Sequence, residues 1–561
     1  MATLLDNYVY GIRRFPYSTN NAVNPLTWGD LDQTTYDQSG GIAPNPLGFE
    51  FAGALEVHNG GEIWANTLWE VRSRIIADPA GANGDVPTGN QTMLRIVTDG
   101  MKMTPLNPSF TEARDALIDA DCAANLCANE ASIWAGFADR GLGYGSSAPL
   151  GVQVAFVSAH IGVKESFASP NLDVNTITID DSLSIGNGTG FVDPNEPFHL
   201  KVNLKNPWRN SSKGIASATA TLTSSTPGVN IINGSTTYPA IAAQGNAVQD
   251  GNDFVIQTAP TTACGASINF ALEITSSLGT VTRNFSIRTG QPSGTSPAVT
   301  YTQSALGLAI PDNDPVGIVD TLNITDDLEI ADVNLRLDSL THTFVGDLTV
   351  GIRGPNGFGT DLISLAGCAN TICSGGDNFT NTVVDDEAVG DFLTILAAGA
   401  PYTGSFFPVF NSPAWAVING ASPDATPSLS RFDGTSTLGD WKIVVSDQGA
   451  LDVGTLNSWS LIVTPRNFAC TSFIPTAAGV SISGRVIDST GKAIRRAVIT
   501  LTDGTGAIRT ARTNQFGFFR ITNVAAGQTY LIDIAAKNRI FVPQALLVDD
   551  DLAGLTFTAL P

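Results

Sequence analysis

The spacing of apolar residues changes once, near residue 166, and divides the chain into two kinds of structure. Before that point apolar residues recur at helical spacing. Trp64, Leu68, Val71 and Ile75 predict a helix over about 61–76 with one buried stripe. Met93, Ile96, Val97 and Met101 predict a second over about 91–101. Ser109-Phe-Thr-Glu112 reads as a capping box, in which a hydroxyl and a carboxylate satisfy free N–H groups, and opens a third helix to about Asp121. A fourth covers about 130–140, and Gly141 suits the left-handed position that closes a helix. After residue 166 the period falls to two. FHLKVNLK (198–205) puts Phe198, Leu200, Val202 and Leu204 on one face, and His199, Lys201, Asn203 and Lys205 on the other, as a half-buried strand does. The expected fold class is therefore multidomain: a mostly α portion over 1–165, then three all-β sandwiches over 176–290, 299–466 and 480–561. TGQPSGTSPA (289–298) reads as a linker between the first two sandwiches.

With 561 residues and a net charge of −23, the chain repels phosphate backbones and anionic lipid, so nucleic acid is not an expected partner. The unit 480–561 differs: nine Lys and Arg stand against six Asp, a surplus of three positive charges. No run of apolar residues reaches the ~18 needed to span a membrane. The first twenty residues lack the apolar core of a signal peptide, so a targeting segment is expected to lie outside this chain. Of six cysteines, Cys122/Cys127 and Cys368/Cys373 are close pairs without CxxC spacing. They read as disulfide-closed loops, which implies an oxidising, extracellular compartment; two incidental thiol pairs are the alternative. The pairing of Cys264 and Cys470 is left open.

Four stretches carry a family resemblance: GIRRFPYSTN (11–20), EVHNGGEIWANTLWEV (56–71), NPSFTEARDALIDAD (107–121) and IWAGFADRGLG (133–143). In order and spacing they resemble the C-terminal half of a fungalysin-type zinc metalloendopeptidase, over about residues 1–150. The resemblance implies that the α portion is the helical half of a thermolysin-like catalytic domain. THTFVGDLTVGIRGPNG (341–357) and FDGTSTLGDWKIVVSDQGALDVGTLNSWSL (432–461) resemble the P domain of proprotein convertases, a jelly-roll sandwich. SGRVIDSTGKAIRRAVITL (483–501) and TNQFGFFRITNVAAG (513–527) resemble carboxypeptidase regulatory-like domains. The block 176–288 resembles a generic Ig-like module.

The resemblance implies zinc, held by HExxH on a helix plus a glutamate from a later helix, and protein or peptide substrates. This sequence contains no such motif. Its histidines are His58, His160, His199 and His342, and no two are four apart. The expectation is thus the C-terminal part of a longer secreted enzyme, unable to bind catalytic zinc and inactive as it stands. The resemblance gives His58 the role of a hydrogen-bond donor to the oxyanion, and Arg13 that of a second cation facing substrate; Glu56 is the nearest acid to orient His58. A helix-mouth histidine bonded to a nearby carbonyl is the competing reading. Asp347, Asp447 and Asp452 could ligate calcium, although turn aspartates that bond their own backbone look the same in sequence. His160 and His342 read as strand-end or turn residues and His199 as solvated. Trp441 and Trp459 read as core. The rival to the enzyme reading is a non-enzymatic extracellular adhesion or binding protein built of tandem sandwiches.

Overall fold

The computed structural model describes residues 15–32, 34, 57–105, 108–148, 162–182, 188–314, 316–364, 366, 376–409, 429–471, 479–503, 507–548 and 550–560, with only the backbone at 57–59. Four α-helices precede a series of mainly antiparallel sheets. The helices are α1 (Val57–Ala77), α2 (Val86–Met103), α3 (Phe110–Asn125) and α4 (Glu130–Ala138). Ser109 and Glu112 make the reciprocal capping box, with Ser109 N donating to Glu112 Oε2 at 2.8 Å and Glu112 N to Ser109 Oγ at 3.2 Å. Helix α2 begins five residues before its apolar stripe would place it. Asp85 caps it by accepting from Thr88 N at 3.2 Å, and a proline follows where a missing N–H costs nothing. Gly141 takes φ +80°, as a residue closing a helix does.

The helices share one core. Trp64 lies edge-on to Phe110 at 5.4 Å and tilted against Phe137 at 5.6 Å, and Val71, Ile75, Ile96, Leu117 and Ile133 are buried around them. At Gly136 helix α4 comes so close to α1 that a Cβ there would lie 2.6 Å from Val71 N and 2.7 Å from Val71 Cα.

The first sandwich packs the sheet Asp173–Asp180, Pro197–Lys205, Phe254–Thr258, Val229–Asn233 against the sheet Ser235–Tyr238, Ala218–Ser224, Ser267–Ser276, Gly279–Arg288. Phe198, Leu200, Val202 and Leu204 point into its core. The second places the sheet Ile318–Ile324, Gly439–Asp447, Leu348–Arg353, Gly359–Ser364 over a larger sheet built on the long pair Ile330–His342 and Gly454–Ala469. Gln291–Thr295, which reads as linker in the sequence, is a strand paired with the far end of Gly454–Ala469. That strand outruns its own sandwich and captures the incoming chain as an edge partner. The third sandwich is formed by three- and four-stranded sheets around Ile482, Val486, Ile499 and Phe519.

Three joints tie these bodies together. Glu130, 1% exposed, accepts from Arg209 N at 3.0 Å and Asn210 N at 2.7 Å, so a loop of the first sandwich is hydrogen-bonded to the start of α4. Asp32, fully buried, accepts from Arg353 Nη1 of the second sandwich at 3.0 Å. A disulfide joins Cys264 of the first sandwich to Cys470 of the second, 206 residues apart. By chain entropy alone, closing such a loop restricts the unfolded state by about 5 kcal/mol.

A Cβ on Gly136 would meet the Val71 backbone as well as its Cγ2, so moving the side chain alone cannot make room. Gly136→Ala is expected to lower stability by about 1–3 kcal/mol, measured by urea denaturation of the intact chain. An unchanged midpoint would show that the two helices are not packed this closely.

Candidate functional site

Helix α1 carries polar residues at an i, i+4, i+8 spacing: Glu62, Asn66 and Glu70. All three are buried. Glu62 and Asn66 face the extended segment that begins within GIRRFPYSTN. Phe15 N donates to Glu62 Oε1 at 2.8 Å, and Ser18 N donates to Asn66 Oδ1 at 3.0 Å. One turn further along, Glu70 Oε1 accepts from Arg140 Nε at 3.1 Å and Nη2 at 2.8 Å. Arg140 Nη2 also donates to Ser18 O at 2.6 Å, and Nη1 to Asn24 O at 2.6 Å and Leu26 O at 3.2 Å. A guanidinium has five N–H groups, and here all five have acceptors. Arg140 is fully buried, so this completeness is what makes its charge tolerable. The segment 15–26 is thereby strapped along α1 in a fixed register.

His58 is the second residue of α1, in its first turn; its side chain lies outside the described residues. Arg13, Glu56, His160, Cys368 and Cys373 also lie outside them. Cys122 and Cys127 are joined in a disulfide at the end of α3, where Leu126 and Cys127 both take left-handed backbone.

His199 and His342 serve the sandwiches. His199 Nδ1 lies 3.3 Å from Asp253 Oδ2. His342 is buried, with Nδ1 2.8 Å from Phe344 O and Nε2 3.2 Å from Asp447 Oδ2. Trp441 and Trp459 are buried, and their indole N–H groups donate to Thr437 O at 2.9 Å and Asp320 Oδ2 at 2.7 Å. Asp347, Asp447 and Asp452 sit at one end of the second sandwich. Gly449 N donates to Asp447 Oδ1 at 3.0 Å, and Thr343 Oγ1 to Asp452 Oδ1 at 2.7 Å. Burial, then the Asp447 and Asp452 carboxylates, push the Asp347 carboxyl up to about 6. Among the described residues no three His, Cys, Asp or Glu side chains are grouped so as to hold a metal ion. His199 and His342 each pair with one carboxylate and lie in different sandwiches, so these donors do not fit a zinc centre.

The Arg140 network escaped sequence reasoning. Its acceptors lie 70 to 122 residues away, and Arg140 itself reads only as the residue before a helix-closing glycine. The legible signal was the i, i+4, i+8 spacing of Glu62, Asn66 and Glu70, which puts three polar side chains on one face of α1.

Residues 1–146 match the Fungalysin metallopeptidase (M36) family, 417–463 the Proprotein convertase P-domain and 481–546 the Carboxypeptidase regulatory-like domain. The chain is 40% identical over 153 residues to the Extracellular metalloproteinase mep of Aspergillus terreus (strain NIH 2624 / FGSC A1156), covering 26% of this chain and 21% of that protein. It is 38% identical over 144 residues to the Extracellular metalloproteinase 3 of Arthroderma otae, covering 24% of this chain and 20% of that protein. The chain thus spans about a fifth of the length of these curated relatives. Among solved structures, the serine protease of Aeromonas sobria aligns at 16% identity over 35% of this chain and 36% of that one, with a TM-score of 0.17, too low to carry an argument.

Removing Arg140 strands Glu70 and three carbonyls without donors. Arg140→Ala is expected to cost about 3–5 kcal/mol, and Arg140→Lys, which cannot make five hydrogen bonds to these four acceptors, most of that; chemical denaturation of the two variants checks it. Asp347 binds its proton more tightly folded than unfolded, so its contribution to stability is present in acid and is lost as pH rises through about 6. Asp347→Asn is expected to raise the melting temperature of the second sandwich at pH 8 and leave it unchanged at pH 4. Calorimetry at the two pH values reads the difference. In its first 146 residues the chain carries a fungalysin metallopeptidase segment, followed by proprotein-convertase P-domain and carboxypeptidase regulatory-like segments.

Proposed function

We propose that this chain is the C-terminal portion of a secreted, multidomain zinc metalloendopeptidase. Residues 1–165 form the helical lobe of the catalytic domain, and 176–290, 299–466 and 480–561 are accessory modules. The observation that carries the reading is the fungalysin match over residues 1–146. The strap pinned along α1 by Glu62, Asn66 and Arg140 supports it, because the strap continues the segment of Arg13 and His58 lies in the first turn of α1.

In this reading His58 donates a hydrogen bond toward the oxyanion of a peptide-bond hydrolysis, a role worth about 3 kcal/mol to such enzymes, and Arg13 faces the substrate. Both roles come from the resemblance. The substrates are extracellular proteins, in keeping with relatives named extracellular metalloproteinases. The zinc donors of the enzyme would come from residues other than these 561, which contain no HExxH. No helix of the described residues is long and apolar enough to cross a membrane.

Purified as given, the chain is expected to leave casein intact and to carry substoichiometric zinc by elemental analysis. EDTA-sensitive casein hydrolysis by this chain would overturn that expectation. Reading the coding frame upstream of Met1 separates the enzyme from the adhesion protein. An in-frame HExxH supports the enzyme, and a promoter and signal peptide abutting Met1 support the adhesion protein.

A further inference from the structure

The joint between the helical segment and the second sandwich holds a fully buried carboxyl, Asp32, and a half-buried one, Asp361, whose Oδ1 is shut off from solvent. Asp32 is the anion that organises it. Its Oδ2 accepts from Gly162 N at 2.7 Å, Val163 N at 2.9 Å and Arg353 Nη1 at 3.0 Å, and its Oδ1 from Thr34 N at 2.8 Å and Thr34 Oγ1 at 2.6 Å. Arg353 also donates to Thr34 Oγ1 at 2.8 Å and Val163 O at 3.1 Å, and Lys442 Nζ to Thr34 O at 3.0 Å. The two bodies are in close contact, since a Cβ on Gly162 would lie 2.4 Å from Gly359 N.

Asp361 lies on the same strand as Gly359, opposite Gly351 in the ladder with Leu348–Arg353. Its Oδ1 is buried with no hydrogen-bond partner among the described residues. A second buried anion beside Asp32 would be repelled by it and would find no donor for that oxygen. A neutral carboxyl there meets neither objection. A cavity of about 490 Å³ lies at the joint, lined by Arg114, Asp115 and Ser146 from the helical side and by Phe358, Gly359 and Arg431 from the sandwich.

We propose that this joint is a pH-dependent latch: closed while Asp361 is neutral and Asp32 carries the charge, loosened when both are ionised. Burial and then the Asp32 carboxylate hold Asp361 well above the usual carboxylate range, and the Arg431 guanidinium pulls it partway back. Arg353 and Lys442 face the joint from the neighbouring strands, and Lys164, Arg114 and Asp115 from the helical side. Of the carboxyls named at this joint, Asp361 is the one with a buried oxygen that has no donor among the described residues, and it is the group assigned to the transition. Its folded-state value is raised above its unfolded one. The joint is therefore tightest in acid and weakens as pH rises through the raised value. The latch does not depend on the peptidase reading, and it would couple the second sandwich to the helical segment in acid and release it in alkali.

The amides of Gly162 and Val163 report the latch directly, because both donate to Asp32. Hydrogen exchange of the intact chain, corrected for intrinsic rates, is expected to lose at least tenfold protection at these amides between pH 5 and pH 9. Core strands of the first sandwich are expected to stay unchanged. Asp361→Asn is expected to keep the amides protected at both pH values, and Asp361→Ser serves if the amide variant folds poorly. Wild-type protection that is flat across this range, or a variant that follows the wild type, overturns the proposal.

Discussion

The helical segment depends on one buried guanidinium. Arg140 sits at the end of α4, yet it fastens α1 through Glu70 and the strap through the carbonyls of Ser18, Asn24 and Leu26. A buried charge is tolerable only when its hydrogen-bonding groups are fully matched, and a lysine has neither the number of donors nor the planar fork to match these acceptors. The arrangement fixes three things at once. Helix α4 is set against α1, the strap runs in one register, and the strap cannot slide past Glu62 and Asn66 without taking the half-buried N–H groups of Phe15 and Ser18 from their acceptors.

The same device, a buried carboxylate given donors from another body, appears at the joints. Glu130 at the start of α4 takes two backbone N–H groups from the first sandwich, and Trp208 from that sandwich packs into the helical core. Asp32 takes a guanidinium from the second. The helical segment is thus held from two sides by β modules, which are themselves stapled together by Cys264–Cys470 and by Arg288 on Asp327. For a segment matching about a fifth of its relatives' length, these contacts supply buried surface in cis.

Local patterns were legible in the sequence wherever short-range chemistry decides the outcome. The helical stripe of α1, the Ser109–Glu112 box and the alternation of Phe198 to Leu204 each act within a single helix or strand. Contacts between distant residues were not legible. Arg140 could have been any solvated arginine, Asp32 and Arg353 are 321 residues apart, and the 206-residue span of Cys264–Cys470 offers no spacing to read. The stretch 289–298 has a linker's composition and becomes a strand because a neighbouring strand overhangs its sheet. Of the candidate site, the sequence placed His58 just before a helix opening near residue 61, whereas the helix starts at Val57 and takes His58 into its first turn; the residues that hold the strap beside it appeared only as polar positions with no assigned partner.

Native-state hydrogen exchange in increasing urea tests the strap most directly. If Arg140, Glu62 and Asn66 bind strap and helix into one unit, the amides of Phe15 and Ser18 will open with the same free energy and urea dependence as the central amides of α1. Strap amides that exchange at the rate of an unstructured peptide while α1 stays protected would contradict the account.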